Sequence, residues 1–137
     1  MASQVLTTGF VPDADAANLL ACAEAVLIPS SYEGFGLPIV EAMACERPVV
    51  CSDIPAFREV AADAAEYVAC RDASGWAQVL QRLAGDREFR EQLGRKGRRQ
   101  VDGYSWHTTS SRHAELMHEL IHPERICRPK SEQTTAA

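Results

Sequence analysis

Residues 30–41 read Ser-Ser-Tyr-Glu-Gly-Phe-Gly-Leu-Pro-Ile-Val-Glu. The short apolar run before them, Ala25 to Pro29, is typical of a buried strand, and apolar residues recur at helical spacing from Leu37 to Cys45. The stretch therefore predicts a loop between the carboxyl end of a strand and the amino end of a helix. Free backbone N–H groups and the positive end of the helix dipole favour a phosphate at such a place.

The residue types in this loop suit a sugar nucleotide. Gly34 and Gly36 have no Cβ, so the backbone can approach a ligand closely there. Pro38 suits the first helical turn, where its missing N–H has no cost. Glu33 and Glu41, at the start of the loop and inside the helix, can accept strong hydrogen bonds from the hydroxyl pairs of sugar and ribose rings. Each carboxylate would bind a polyol, with the diphosphate between them.

The spacing of Glu33 and Glu41 resembles the E-x7-E signature of the retaining GT-B glycosyltransferases. This large family includes many bacterial sugar and mannosyl transferases. From about Val5 to about Leu120 the chain is similar to the later part of that family's C-terminal, nucleotide-binding domain. The similarity in order and spacing extends over several further segments: Pro29-Ser30, Glu41-Ala42-Met43-Ala44, Pro48-Val49-Val50, Ser52-Asp53 and Arg58-Glu59-Val60.

The resemblance implies a role for each residue of the site. Glu33 would contact hydroxyls of the donor sugar and is the expected catalytic residue, and Glu41 would hold the ribose hydroxyls. The sugar and diphosphate would face the backbone amides around four residues: Gly34, Phe35, Gly36 and Leu37. The alternative is that Glu33 is a solvated loop residue and that Glu41 lies on a wet helix face, as single charged residues usually do.

Strands alternate with helices along the chain, which predicts a parallel sheet covered on both faces. The expected fold is α/β, an incomplete Rossmann-like sheet with flanking helices, formed by residues 1–122 as a partial GT-B C-terminal domain; residues 123–137 are polar and are expected to be a disordered tail. The predicted strands are Val5 to Thr8, the run ending at Pro29, Val49 to Ser52 and Glu66 to Ala69. The helix that follows the glycine loop, from Leu37 to Cys45, is called the site helix. The other predicted helices are Asp13 (as N-cap) to Ala23, Pro55 to Ala61, Ser74 (as cap) to Ala84, Asp86 to Val101, and Trp106 to Leu120.

The order of strands in the doubly wound fold creates a difficulty. In the order 3-2-1-4-5-6 the four predicted strands would be the third to the sixth, so two missing strands should lie between the first and second of them. Either the first predicted strand pairs directly with the second, or another chain fills the gap, or the fragment is only marginally stable. A smaller departure is Glu46, which stands at the end of the site helix where the family often has glycine.

At 137 residues the chain is long enough for one domain, whereas a retaining GT-B enzyme needs two. No basic residue precedes Arg47, so the Arg and Lys that the family brings to the diphosphate are missing. The expected function is the donor-binding part of a glycosyltransferase, transferring a hexosyl group from a nucleoside diphosphate sugar with retention and inactive as an isolated fragment. The alternatives are a non-catalytic nucleotide-binding or interaction module that pairs with a separately encoded half or with itself, and a remnant without function.

The cysteine and histidine content predicts no metal site, and the resemblance implies no cofactor. Five cysteines form no C-x-x-C pair, and the chain has no signal peptide and no apolar span, which predicts a reduced, cytoplasmic setting. Cys22, Cys45, Cys51 and Cys70 are interpreted as small buried hydrophobes. The four histidines cluster late in the chain, with His118 and His122 on one helix face, but no Cys or acidic pattern completes a metal site around them.

The net charge of −5 argues against nucleic acid as a partner. One segment, Asp86 to Arg99, carries six basic residues against three acidic ones. The favoured interpretation is a solvated helix face with i, i+3 and i, i+4 ion pairs. Contact with an anionic membrane surface is the less favoured alternative.

Overall fold

The computed structural model of the chain describes residues 4–122. These residues belong to two compact units, one that extends to Gly103 and a second that begins at Tyr104. The predicted tail, residues 123–137, and Cys127 within it lie outside the described residues.

The first unit contains a three-stranded parallel sheet, formed by β1 (Val26–Ile28), β2 (Val49–Ser52) and β3 (Glu66–Val68) in the order β1-β2-β3. Val26 of β1 lies opposite Val49, and Val50 lies opposite Glu66 of β3. All four residues of the central strand are buried. The α/β class and the parallel sheet are therefore confirmed.

Helices alternate with these strands and then follow one another. Within residues 4–122 they are α1 (Asp13–Cys22), α2 (Leu37–Ala44), α3 (Pro55–Ala61), α4 (Ala73–Gly85), α5 (Arg87–Gln100) and α6 (Trp106–Ile121). Two predicted caps are wrong by one or two positions. Pro12 precedes α1, so that Asp13 is its first residue, and Asp72 caps α4 by accepting a hydrogen bond from the amide of Gly75.

Apolar side chains pack on both faces of the sheet because successive residues of a strand point to opposite sides. On one face, Val49 and Cys51 pack with residues of α2 and α3, namely Ile39, Ala42, Met43, Phe57, Val60 and Ala61. On the other face, Val50 and Val68 pack with Leu83 of α4 and Leu93 of α5. Among the described cysteines, Cys51 is buried as expected, but Cys22 is exposed.

The prediction of a strand at Val5 to Thr8 is wrong. These residues form no regular structure, and the side chains of Val5 and Leu6 are 76% and 86% exposed. An apolar run becomes a strand only where a neighbouring strand takes up its hydrogen bonds, and β1 pairs with β2 alone among the described residues. The gap expected in the middle of the sheet is therefore not found, since the three strands are direct neighbours. Within residues 4–122 the outer edge of β1 lacks a partner strand, and Leu27 of β1 is 40% exposed.

Helix α5 packs closely against α2 and the residues that follow it. Gly94 lies against the carbonyl group of Glu46, and a Cβ added to Gly97 would be 2.9 Å from Cγ of Met43. Glu46 has a φ of 58°, so the position where the family often has glycine does take the left-handed conformation. Because Gly94 and Gly97 have no side chains, α5 packs directly against the site helix and the turn that follows it.

Most basic side chains of α5 are paired with carboxylates. Three ion pairs lie along the helix and its end, namely Arg87–Glu91, Arg95–Glu91 and Arg98–Asp102, and two reach other segments, namely Arg90–Glu24 and Lys96–Asp63. This arrangement supports the interpretation of a solvated, ion-paired face. Within residues 4–122, no helix is both long enough and apolar enough to cross a membrane.

The second unit contains α6. The hydroxyl of Ser105 caps this helix by accepting a hydrogen bond of 3.0 Å from the amide of Thr108. The rings of His118 and His122 meet edge to face with 4.7 Å between their centroids. In the part of the chain that the structure describes, no group of three or more His, Cys, Asp or Glu residues could hold a metal ion.

Candidate donor-binding site

The candidate site lies at the carboxyl edge of the sheet. Because the three strands are parallel, the segments that follow β1, β2 and β3 leave the sheet at the same edge. Two hydrogen bonds join these segments. The amide of Asp53, after β2, donates to the carbonyl of Val68 at 2.9 Å, and the thiol of Cys70, after β3, donates to the carbonyl of Pro29 at 3.4 Å. The start of the glycine loop is thereby anchored to the end of β3.

Gly36 sets the direction of the site helix. It precedes Leu37, the first residue of α2, and has the left-handed φ of 101°. A Cβ on Gly36 would also be 3.1 Å from two ring carbons of Phe57, so both the backbone conformation and the close packing favour glycine. Gly34 differs, because a Cβ on it would meet nothing within 4 Å. Gly34 therefore leaves open space where the loop faces outward.

Glu33 is half-buried in the loop that precedes α2. Its Oε1 accepts a hydrogen bond of 2.8 Å from the hydroxyl of Ser30, three residues earlier. Within residues 4–122 this is the one hydrogen bond of the Glu33 side chain, so Oε2 is left as an acceptor. Glu33 is thus not the fully solvated loop residue of the alternative interpretation, and its contact with the donor sugar stays a prediction.

Glu41 lies on the exposed face of α2. It is four residues after Leu37, and residues at i and i+4 share one face of a helix. The side chain of Leu37 is 44% exposed, whereas Ile39 and Met43 on the opposite face are fully buried. Phe35, just before the helix, is 45% exposed. Along the chain, the carboxylate of Glu33 is thus followed by the exposed loop at Gly34, by the amino end of α2 and by the exposed Glu41.

A bidentate ion pair flanks this edge, and neither member was assigned a role from the residue pattern. The guanidinium of Arg58 on α3 donates to both carboxylate oxygens of Asp53, at 2.7 and 2.8 Å. This bond holds the pKa of Asp53 below its usual value. Arg58 also lies over the ring of Tyr67, 4.1 Å from its centroid, and the Tyr67 hydroxyl donates to the carbonyl of Ala62 at 2.7 Å. Spacing alone could have pointed to the pair, because Asp53 and Arg58 bracket the amino end of a short predicted helix.

Comparisons with known proteins identify the family of the chain. Residues 1–100 match the family described as glycosyl transferases group 1. Over 99 residues the chain is 43% identical to the O-antigen chain mannosyltransferase B of Escherichia coli, covering 72% of this chain and 26% of that protein. Over 127 residues it is 36% identical to the MMP alpha-(1->4)-mannosyltransferase of Mycolicibacterium hassiacum, covering 90% of this chain and 31% of that protein.

A solved structure has the same fold. The sucrose-phosphate synthase of Thermosynechococcus elongatus superposes with a TM-score of 0.81 at 27% sequence identity, over 88% of this chain and 31% of the synthase. The chain therefore spans less than a third of the length of each of these three proteins.

Proposed function

Because this chain belongs to the group 1 glycosyl transferases, which have the GT-B fold, we propose that its residues 30–41 bind the donor of a glycosyl transfer, a nucleoside diphosphate sugar. One observation carries the proposal. The amino end of α2 opens at the carboxyl edge of a parallel sheet, between the half-buried carboxylate of Glu33 and the exposed carboxylate of Glu41. Ligands of open α/β sheets bind outside the carboxyl ends of the strands.

The diphosphate would lie against the amino end of α2. The backbone amides around Gly34 to Leu37 would donate to it, since the first N–H groups of a helix have no partner within the helix, and the helix dipole would add positive potential. Open space around Gly34 would admit the phosphates to close range. Charge that develops on the departing diphosphate during transfer would be stabilised by these same fixed donors.

The two carboxylates would bind different parts of the donor on either side of the diphosphate. Glu33 would accept hydrogen bonds from hydroxyls of the hexosyl group, and Glu41 would accept them from the 2′- and 3′-hydroxyls of the ribose. We propose transfer with retention of the anomeric configuration, as the E-x7-E signature implies. Two of the relatives are named mannosyltransferases, so a nucleoside diphosphate mannose is the first donor to test.

We expect the acceptor to be bound by residues other than these 137, in a half of the cleft that would face α2. An alternative is a non-catalytic module that binds a nucleotide and pairs with a separate chain. The outer edge of β1 favours this pairing, because among the described residues it has no partner strand and an unpaired edge offers hydrogen-bonding groups to another strand.

Calorimetry on the Glu41→Ala variant tests the proposal. We expect the variant to bind a nucleoside diphosphate about tenfold to hundredfold more weakly, since a hydrogen bond to a charged group contributes about 1.5–3 kcal/mol. The 2′,3′-dideoxy nucleotide should bind wild type and variant equally. Glu88→Ala, which removes an exposed glutamate of α5, is the matched control and should change neither affinity. Equal losses for both nucleotides in Glu41→Ala would contradict the assignment of Glu41 to the ribose.

A further inference from the structure

We propose that Ser30 is a positioning residue, which holds the carboxylate of Glu33 in the orientation that binds the donor sugar. The inference rests on the proposed function of the loop, and it adds a residue whose role neither the loop signature nor the comparisons assign. It is carried by one contact, the hydrogen bond of 2.8 Å from the Ser30 hydroxyl to Oε1 of Glu33.

Glu33 needs such a partner because its side chain has three rotatable bonds and stands in a loop. A free glutamate would populate several rotamers and would have to be ordered by the ligand each time it bound. The hydrogen bond from Ser30 removes part of that freedom before the donor arrives. It also occupies one carboxylate oxygen and leaves the other, Oε2, for a sugar hydroxyl, which fixes the direction from which the sugar is bound.

Ser30 is itself held in place. It follows β1 directly after Pro29, whose carbonyl accepts the hydrogen bond from the Cys70 thiol. Ile28, the last residue of β1, pairs with Cys51 in the centre of the sheet. Ser30 is half-buried, whereas its neighbour Ser31 is exposed. The hydroxyl thus links a rigid strand end to the carboxylate of a less regular loop.

The first test is calorimetry with two ligands, a nucleoside diphosphate mannose and the bare nucleoside diphosphate. We expect Ser30→Ala to weaken binding of the sugar nucleotide by about tenfold and to leave the bare nucleotide within about twofold, because a hydrogen bond to a charged group has that order of effect. Ser30→Thr, which keeps the hydroxyl, should restore most of the affinity. Ser111→Ala, which removes an exposed serine of α6 outside the loop, is the matched control and should bind both ligands as wild type does.

A double-mutant cycle separates positioning from general damage to the loop. If Ser30 acts through Glu33, Ser30→Ala should cause no further loss in a chain that already carries Glu33→Gln. Independent, additive losses would overturn the inference. So would an equal loss of both ligands in Ser30→Ala, since that result would indicate a purely structural role.

A second measurement requires no ligand. In a chain with ¹³C-labelled glutamate, Ser30→Ala should shift the Cδ resonance of Glu33 and leave that of Glu41 in place, and Ser30→Thr should return it toward the wild-type position. An unchanged Glu33 resonance would show that the contact is not formed in solution and would overturn the inference. Failure of wild type to bind any sugar nucleotide would instead contradict the proposed function, and the resonance of Glu33 would still decide whether Ser30 orients that carboxylate.

Discussion

Gly94 of α5 lies directly against the carbonyl oxygen of Glu46, the residue that turns the chain after the site helix, and a Cβ on Gly94 would overlap that oxygen. The overlap involves backbone on the Glu46 side, which cannot move away as a flexible side chain can. The position of α2, and with it the site, therefore depends on the absence of a side chain on a different helix.

The Gly94→Ala substitution should consequently destabilise the protein by about 1–3 kcal/mol, the usual cost of forcing extra volume into a packed contact. Urea denaturation followed by circular dichroism would measure it. Gly85→Ala is the control, because a Cβ there would meet nothing within 4 Å. Similar midpoints for the two variants would show that α5 does not pack on α2 as described.

Glu46→Gly should stabilise the protein. The left-handed conformation at φ 58° costs a residue with a Cβ about 1–2 kcal/mol, which glycine would avoid. The extra entropy of glycine in the unfolded chain offsets about 0.5–1 kcal/mol of that stabilisation. We expect a net increase of about 0.5–1 kcal/mol in the free energy of unfolding. Glu46→Ala keeps the strain and should show no such increase; equal effects of the two substitutions would argue against strain at this position.

The ion pair of Asp53 and Arg58 should make stability depend on pH in acid. The bond to Arg58 lowers the pKa of Asp53 from 3.8 in the folded protein, so the unfolded chain takes up the proton first as the pH falls. The stabilisation is present above the unfolded pKa and is lost as the pH falls through the folded one. Unfolding free energies measured from about pH 5 to about pH 2 should therefore decline less steeply for Asp53→Asn than for wild type.

Salt provides the control for this pH dependence. Both side chains are about half exposed, so 53% and 47% of their surfaces remain accessible to solvent ions. Raising the salt concentration to about 1 M should reduce the difference between the two slopes. Identical slopes at low salt would mean that the pair does not form in solution.

Residues 1–137 alone should release no nucleoside diphosphate from a sugar donor. These residues span 26% and 31% of the two mannosyltransferase relatives, so we expect them to lack the groups that orient the attacking hydroxyl and exclude water. The guanidinium of Arg58 is already engaged by Asp53. Adding the N-terminal domain and opening strands of a related glycosyltransferase as a separate chain should restore some transfer, with Glu33→Gln as the inactive control. Clear turnover by the 137-residue chain alone would contradict this expectation.

Local pattern was sufficient for much of the fold. The strands at Val26–Ile28, Val49–Ser52 and Glu66–Val68 lie in the predicted runs, and α3 has the predicted limits, Pro55–Ala61. These elements follow from apolar runs, from spacing and from proline at a first helical turn, all of which are properties of neighbouring residues. The glycine loop before α2 was predicted for the same reason, although the roles assigned to its residues stay predictions.

Relationships between distant residues could not be predicted. Whether Val5 to Thr8 forms a strand depends on a partner strand, which the run itself does not encode. The contact of Gly94 with Glu46 brings α5 against the turn after α2, which is far away in the chain. The bond from Ser30 to Glu33 is local, but it depends on side-chain rotamers that residue spacing leaves undetermined.

The most direct test of sugar-nucleotide binding is an NMR titration of the ¹⁵N-labelled chain with a nucleoside diphosphate mannose and with the bare nucleoside diphosphate. We expect saturable shifts of the amide resonances of Gly34, Phe35, Gly36 and Leu37 with both ligands, a further shift at Glu33 with the sugar nucleotide alone, and unchanged resonances along α6. A chain that showed no saturable shift in residues 30–41, or that shifted only elsewhere, would contradict the assignment of this loop as the donor site.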